Sequence, residues 1–200
     1  MQILNLNQTI ERIGHQKYLE LFYKRLSYFP GLNSSSIWLC GGAVRDLLVG
    51  KETHTDFDFF FNSLDTYNKF IADLCNLGAS IFSKNEFNTT LRKSTDTDTI
   101  TVQCINLVYP SIEKVLDSFD FTITQFGFDG INLYCGDYSL YDLARKRLAL
   151  NKLTYGVSTL RRLLKYSNKG FTACPGVLSD ILNKTVENPQ TINGTTISLD

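Results

Sequence analysis

The sequence predicts an α+β protein: a mixed central β-sheet with helices packed on it and a short C-terminal helical extension. Three observations lead there. Apolar residues recur at helical spacing over 10–29 and 64–77, whereas 38–40, 56–61 and 100–107 are short apolar or alternating runs of strand length. Clusters of Gly, Pro, Asn and Ser fall between these segments and mark their ends. A chain of 200 residues, 43% hydrophobic and 20% charged, can bury a full core.

Composition narrows the classes of function. Lys plus Arg and Asp plus Glu balance at 20 each, so no globally basic surface for nucleic acid is expected, although local patches can still form. The five cysteines are odd in number and never spaced Cys-x-x-Cys, which suits a reduced, cytoplasmic setting without a zinc site or disulfide framework. No apolar run approaches membrane-spanning length and no signal peptide is visible, so no membrane partner is expected.

Residues 1–9 read as a loose start, and the spacing of Ile13, Leu19, Phe22, Tyr23 and Leu26 predicts one amphipathic helix over 10–29, with His15 on its surface. Pro30-Gly31 stops it. A buried strand through Trp38-Leu39-Cys40, a turn at Gly41-Gly42, a short helix from Ala43 and a strand Asp56-Phe57-Asp58-Phe59-Phe60-Phe61 follow. The spacing next predicts a helix over 64–77 ended by Gly78, a strand over 79–82, and a hairpin of 87–92 with 100–107 whose polar turn leaves Asp96 and Asp98 solvated. Further on come a helix over 111–118, an alternating strand over 121–128, a turn at Asp129-Gly130, and a return strand over 131–134. Helices over 140–148, 158–166 and 175–182 close the chain. The domain expectation is a head over 1–150, a helical neck-like extension over 151–186, and a flexible tail over 187–200.

The chemistry concentrates between Gly41 and Asp58. Alternation along a strand puts Asp56 and Asp58 on one face and Phe57 and Phe59 on the other. Two neighbouring carboxylates repel unless a cation lies between them, and Mg²⁺ or Mn²⁺ suits such oxygen donors while leaving sites open for substrate phosphates. Glycines lack Cβ, so Gly41 and Gly42 let backbone N–H groups approach a phosphate. Phosphate on one side and metal on the other imply a nucleoside triphosphate.

Gly41-Gly42-x-Val44-Arg45-Asp46-x-Leu48-x-Gly50 followed by Asp56-x-Asp58 resembles the head domain of CCA-adding enzymes and poly(A) polymerases, in the DNA polymerase beta-like nucleotidyltransferase superfamily. Asp120-Phe121-Thr122-Ile123, Leu160-Arg161-Arg162-Leu163-Leu164 and Gly170-Phe171 extend the resemblance over roughly residues 35–171. It implies a nucleotidyltransferase fold with Asp56 and Asp58 as catalytic metal ligands, Asp120 as a candidate third carboxylate, and Gly41, Gly42, Arg45, Asp46, Arg161 and Lys165 around the nucleotide. It also implies transfer of a nucleoside monophosphate to an acceptor hydroxyl such as an RNA or tRNA 3′ end.

The pattern departs from the family at the strand after the hairpin, where Gln103 stands in the place of an acid; an amide can bond but cannot take a proton. The acidic pair expected before Arg161 is replaced by Ser158 and Thr159, and the arginines expected before Asp120 by Ser118 and Phe119. The helical body with which such enzymes measure a tRNA has no room here, so the acceptor is small or a protein partner supplies its grip. Nucleotidylation of a protein or small molecule, and a degenerate domain that binds nucleotide or a partner without chemistry, are the competing expectations. A viral or mobile-element protein acting in host cytoplasm would suit the short length.

Overall fold

The computed structural model describes residues 1–33, 35–52 and 56–187. In chain order its elements are β1 (Gln2–Asn5), α1 (Leu6–Arg12), α2 (Gln16–Leu26), β2 (Ile37–Cys40), α3 (Gly42–Leu48), β3 (Asp56–Phe61), α4 (Leu64–Asn76), β4 (Ser80–Lys84), β5 (Asn88–Ser94) and β6 (Thr99–Val108). They continue with α5 (Ile112–Ser118), a 3-10 turn (Thr122–Thr124), β7 (Phe126–Phe128), β8 (Asn132–Cys135), α6 (Ser139–Ala144), β9 (Arg147–Leu148), α7 (Gly156–Asn168), β10 (Thr172–Ala173) and α8 (Pro175–Glu187). Eight strands form one mixed sheet in the order β1-β8-β7-β2-β3-β6-β5-β4, and β9 pairs with β10 apart from it. Within the large sheet β3 and β6 are parallel while the other pairs are antiparallel.

The period-two pattern of β3 decides how the sheet is covered. Phe57, Phe59 and Phe61 are fully buried on one face, against Phe22 of α2, Val44 and Leu47 of α3, and Phe70 and Leu74 of α4. Burying each such ring contributes about 1.5–3 kcal/mol. Phe60 points the other way and joins Trp38, Ile105 and the α5 residues Ile112, Val115 and Leu116. That second cluster covers only part of the opposite face, which leaves Asp56 exposed and Asp58 half-buried. A third cluster ties Phe121 and Ile123 to Leu163 and Tyr166 of α7 and to Val177 and Ile181 of α8.

Five sequence expectations are corrected. The start is not loose: Gln2–Asn5 forms the edge strand β1, paired with β8. The helix expected over 10–29 is two helices broken at Gly14 (φ 77°), because His15 N–H bonds back to Ile10 O and Gly14 N–H to Glu11 O, closing α1 with a Schellman turn. The strand expected over 121–128 survives only as β7, because the hydroxyl of Thr124 donates to Phe121 O at 2.7 Å and that of Thr122 to Asp142 Oδ2 at 2.7 Å, favouring a 3-10 turn. The helix expected over 140–148 ends at Ala144, where Lys146 takes φ 50° and β9 begins. Asp98 is not merely solvated: Arg25 of α2 donates to both its oxygens through Nη1 and Nη2 at 2.5 Å. Most of the expected tail, residues 188–200, lies outside the described residues.

Candidate active site

The Gly41-Gly42 bend begins where β2 leaves the sheet. Gly41 has φ 89°, and its N–H donates to Phe126 O at 2.7 Å, which holds the turn against β7. A Cβ at Gly41 would lie 3.7 Å from Asp58 Oδ2, so the bend and this carboxylate face one another. Asp56 is exposed and Asp58 half-buried on the same face of β3, opposite the buried Phe57 and Phe59. Register aligns Cys40 of β2, Asp58 of β3 and Gln103 of β6 across three adjacent strands. Burial, with a smaller push from the Asp58 charge, holds the Cys40 thiol well above its usual value; the same two effects, with Cys75, raise Cys104. Both thiols are therefore inert neighbours rather than nucleophiles.

Arg45 stands on the first turns of α3 and is only 3% exposed. Asp46 Oδ1 accepts from its Nε at 2.9 Å and its Nη2 at 2.7 Å, while Nη1 is buried with no hydrogen-bond partner among the described residues. Its guanidinium carbon lies 5.3 Å from the centre of the Tyr166 ring. Burial works against the Arg45 charge, but Tyr166 and Asp46 more than offset it and the guanidinium stays protonated. Asp46, whose role the sequence leaves open, fixes Arg45.

Helix α7 forms the opposing wall. Tyr155, just before it, Ser158, Arg162, Lys165 and Lys169 follow one another at helical spacing and all line a cavity of about 470 Å³, whose floor includes Gly41, Asp56, Asp58 and Gln103. Arg161 is corrected in placement: it is exposed on the far side of α7 and does not line this cavity, whereas its neighbour Arg162 does. Asp120 also lines the cavity, but its carboxylate is engaged, with Oδ2 accepting from Arg162 Nη1 at 2.7 Å and Oδ1 from Phe121 N–H at 3.0 Å. Burial, then the charges of Arg45, Lys165 and Lys51, pull the Lys169 ammonium below the usual lysine value, with Asp46 opposing. Sequence reasoning set Arg162 beside Arg161 and Lys165 on the far side of the cleft but passed over Lys169 and Tyr166 as lining residues; the 3–4 residue spacing of the stripe was the signal available.

The donor set fits a hard divalent cation. Asp56 and Asp58 offer carboxylate oxygens, and Gln103 Oε1 is a buried amide oxygen with no partner among the described residues, in register with Asp58. No group of three or more His, Cys, Asp or Glu side chains able to hold a metal occurs among the described residues, so a cation here would complete its shell with phosphate oxygens and water. Among the described residues no helix is long and apolar enough to cross a membrane.

Comparison with solved structures places the fold. A CCA-adding enzyme in complex with CTP superposes with a TM-score of 0.66 at 19% identity, covering 98% of this chain and 48% of that one. The Thermotoga maritima CCA-adding enzyme complexed with tRNA gives 0.60 at 16% identity, over 98% and 48%. A tRNA nucleotidyltransferase with a primer tRNA and an incoming ATP analogue gives 0.52 at 21% identity, over 80% and 49%. The chain thus has the nucleotidyltransferase head fold and spans about half the length of these proteins. No curated protein matches it significantly. Residues 10–146 match the family described as "Gad2: Gabija anti-defense 2 family protein", and the chain belongs to that family.

Proposed function

We propose that this chain transfers a nucleoside monophosphate from a nucleoside triphosphate to an acceptor hydroxyl, releasing pyrophosphate. The observation that carries the reading is the approach of the Gly41 bend to Asp58 Oδ2 inside a cavity whose opposite wall is cationic. Phosphate groups would lie between that wall and the bend, and Asp56 with Asp58 would hold Mg²⁺ or Mn²⁺. When bound, the cation neutralises charge on the phosphate oxygens. The acceptor oxygen forms a bond to the α-phosphorus, its proton passes to solvent, and the bond from the α-phosphorus to the oxygen bridging to the β-phosphate breaks. Arg45, set by Asp46, orients the phosphates through its open Nη1. Asp120 acts as a positioning residue through Arg162.

The acceptor proposed first is an RNA 3′ end, in line with the tRNA-bound neighbours; a protein or small-molecule hydroxyl, with a partner supplying the grip, is the alternative. A second reading, nucleotide binding without transfer, is favoured by Gln103 in register with Asp58. Incubation with each labelled triphosphate and Mg²⁺ or Mn²⁺, with and without total RNA, separates these. Label in RNA or protein that disappears in Asp58→Asn supports transfer, whereas cation-dependent binding with no label moved supports the second reading.

A further inference from the structure

One end of the cavity is aromatic and uncharged. Alternate residues of a strand share a face, so Ile105 and Leu107 of β6 continue from Gln103 on the side that carries Asp58, with Ile105 about 7 Å beyond the row of Asp58 and Gln103. Phe60 of β3, Phe87, Tyr109 and Phe119 complete the lining there. The Phe60 ring lies 6.0 Å from that of Tyr109 and 5.7 Å from that of Phe119, edge to face in both pairs, and Phe60 and Ile105 are buried. Phe87 is fixed through its backbone: its N–H donates to Asn85 Oδ1 at 2.8 Å and its carbonyl accepts from Asn106 N–H at 2.7 Å. The lining cations all stand on α3, on α7 or in the segments flanking α7. A phosphodiester strand entering the aromatic end would therefore meet no counter-charge.

We infer that this end seats the ring of a phenol, such as the side chain of tyrosine, and that the phenolic hydroxyl is the acceptor. The inference rests on the transfer reading and narrows its acceptor to the second of the two classes named there. Counting polar atoms decides between rings. A nucleobase carries several donors and acceptors, and each one buried here without a partner costs about 1–3 kcal/mol. A phenol carries one polar atom, and that atom reacts. Gln103 points the same way by a separate route: an amide cannot take a proton, so an acceptor at this site gives its proton up to solvent. A phenol, with a pKa of about 10, does so far more readily than a ribose hydroxyl. Gln103 Oε1, buried and without a partner among the described residues, stands where the apolar end meets Asp58 and offers an acceptor to the phenolic O–H. In the transfer the phenolic oxygen bonds to the α-phosphorus and its proton leaves to water. The bond from the α-phosphorus to the bridging oxygen breaks, its electron pair departing with pyrophosphate.

The test gives the full chain a labelled triphosphate with Mg²⁺ or Mn²⁺ and offers N-acetyltyrosinamide, N-acetylserinamide or an RNA oligonucleotide as acceptor. Label is expected in the tyrosine amide and in neither of the others, with N-acetylphenylalaninamide inhibiting without being labelled. p-Cresol, tried in parallel, tells a free phenol from a tyrosyl residue. Leu107 is 41% exposed, so Leu107→Lys spares the core; it is expected to raise the KM for the tyrosine amide about tenfold and leave triphosphate binding unchanged. Label passing to RNA or to the serine amide but not to the tyrosine amide overturns the phenol site and keeps the transfer reading. Tyrosine labelling that Leu107→Lys leaves untouched also overturns the site. If no label moves at all, calorimetry with N-acetyltyrosinamide decides. Binding weakened about tenfold by Leu107→Lys keeps the ring site and retires the transfer reading, whereas absence of binding overturns the site.

Discussion

Arg162 Nη1 donates to Asp120 Oδ2 at 2.7 Å, and this bond fastens α7 to the segment leaving α5 across the rim of the cavity. Removing one partner of a buried pair strands the other charge. Asp120 is 8% exposed and Arg162 keeps some contact with water. Asp120→Ala is therefore expected to cost roughly 2–3 kcal/mol, below the range for fully buried pairs. Urea unfolding checks it, and the Asp120→Ala, Arg162→Ala double variant should cost less than the sum of the singles.

Asp56→Asn and Asp58→Asn keep the shape of β3 and remove its charge. Nucleotide transfer should fall by about 10²–10³ or more in each, with the thermal midpoint changed by no more than a few degrees. A labelled-triphosphate assay beside circular dichroism measures both, and activity retained in Asp58→Asn would end the assignment of that carboxylate.

Gln103→Glu would put a third carboxylate in register with Asp58. Without cation the added like charge should lower stability; with Mn²⁺ it should raise metal affinity about tenfold, since affinity in such sites follows ligand charge. Calorimetric Mn²⁺ titration of parent and variant decides the matter.

The lowered proton affinity of Lys169 gives a pH dependence with a definite sign. In the free protein the charged ammonium is disfavoured, so Lys169 loses its proton at a lower pH than a free lysine does. A bound polyphosphate pulls that value back up, so binding takes up protons in the window between the two, and affinity falls as pH rises through it. Calorimetry in buffers of different ionisation heat should show proton uptake in the parent and a smaller uptake in Lys169→Gln.

Gly41→Ala tests the bend. The new methyl would meet Asp58 Oδ2 at an ordinary contact distance of 3.7 Å, so the cost is the backbone at φ 89° rather than a clash. A loss of about 1–3 kcal/mol in urea is expected, with weaker nucleotide binding from the distorted turn.

What could be read from the residues alone was what repeats at short range. The alternation of Asp56-Phe57-Asp58-Phe59 fixed which face carries acid, and β3 is built that way. The break at Gly14 was hidden because Ile13, Leu19 and Phe22 keep a helical spacing across it, and only the hydrogen bond from His15 to Ile10 reveals the Schellman turn. Arg161 and Arg162 look equivalent as adjacent letters, yet a step of 100° around α7 separates water from cavity. The partners of Asp98 and Asp120 were invisible for another reason: Arg25 is 73 residues from the first and Arg162 is 42 from the second, and no local pattern encodes such pairs.

Phe121 and Ile123 share their cluster with Leu148, but its other buried members, Leu163, Tyr166, Val177 and Ile181, all lie beyond Gly156. A protein shortened ahead of Gly156 would turn those two side chains toward water and lose the cationic wall in the same stroke. Folding and ligand capture are thus written into one stretch of chain, and trimming it cannot sacrifice either one alone.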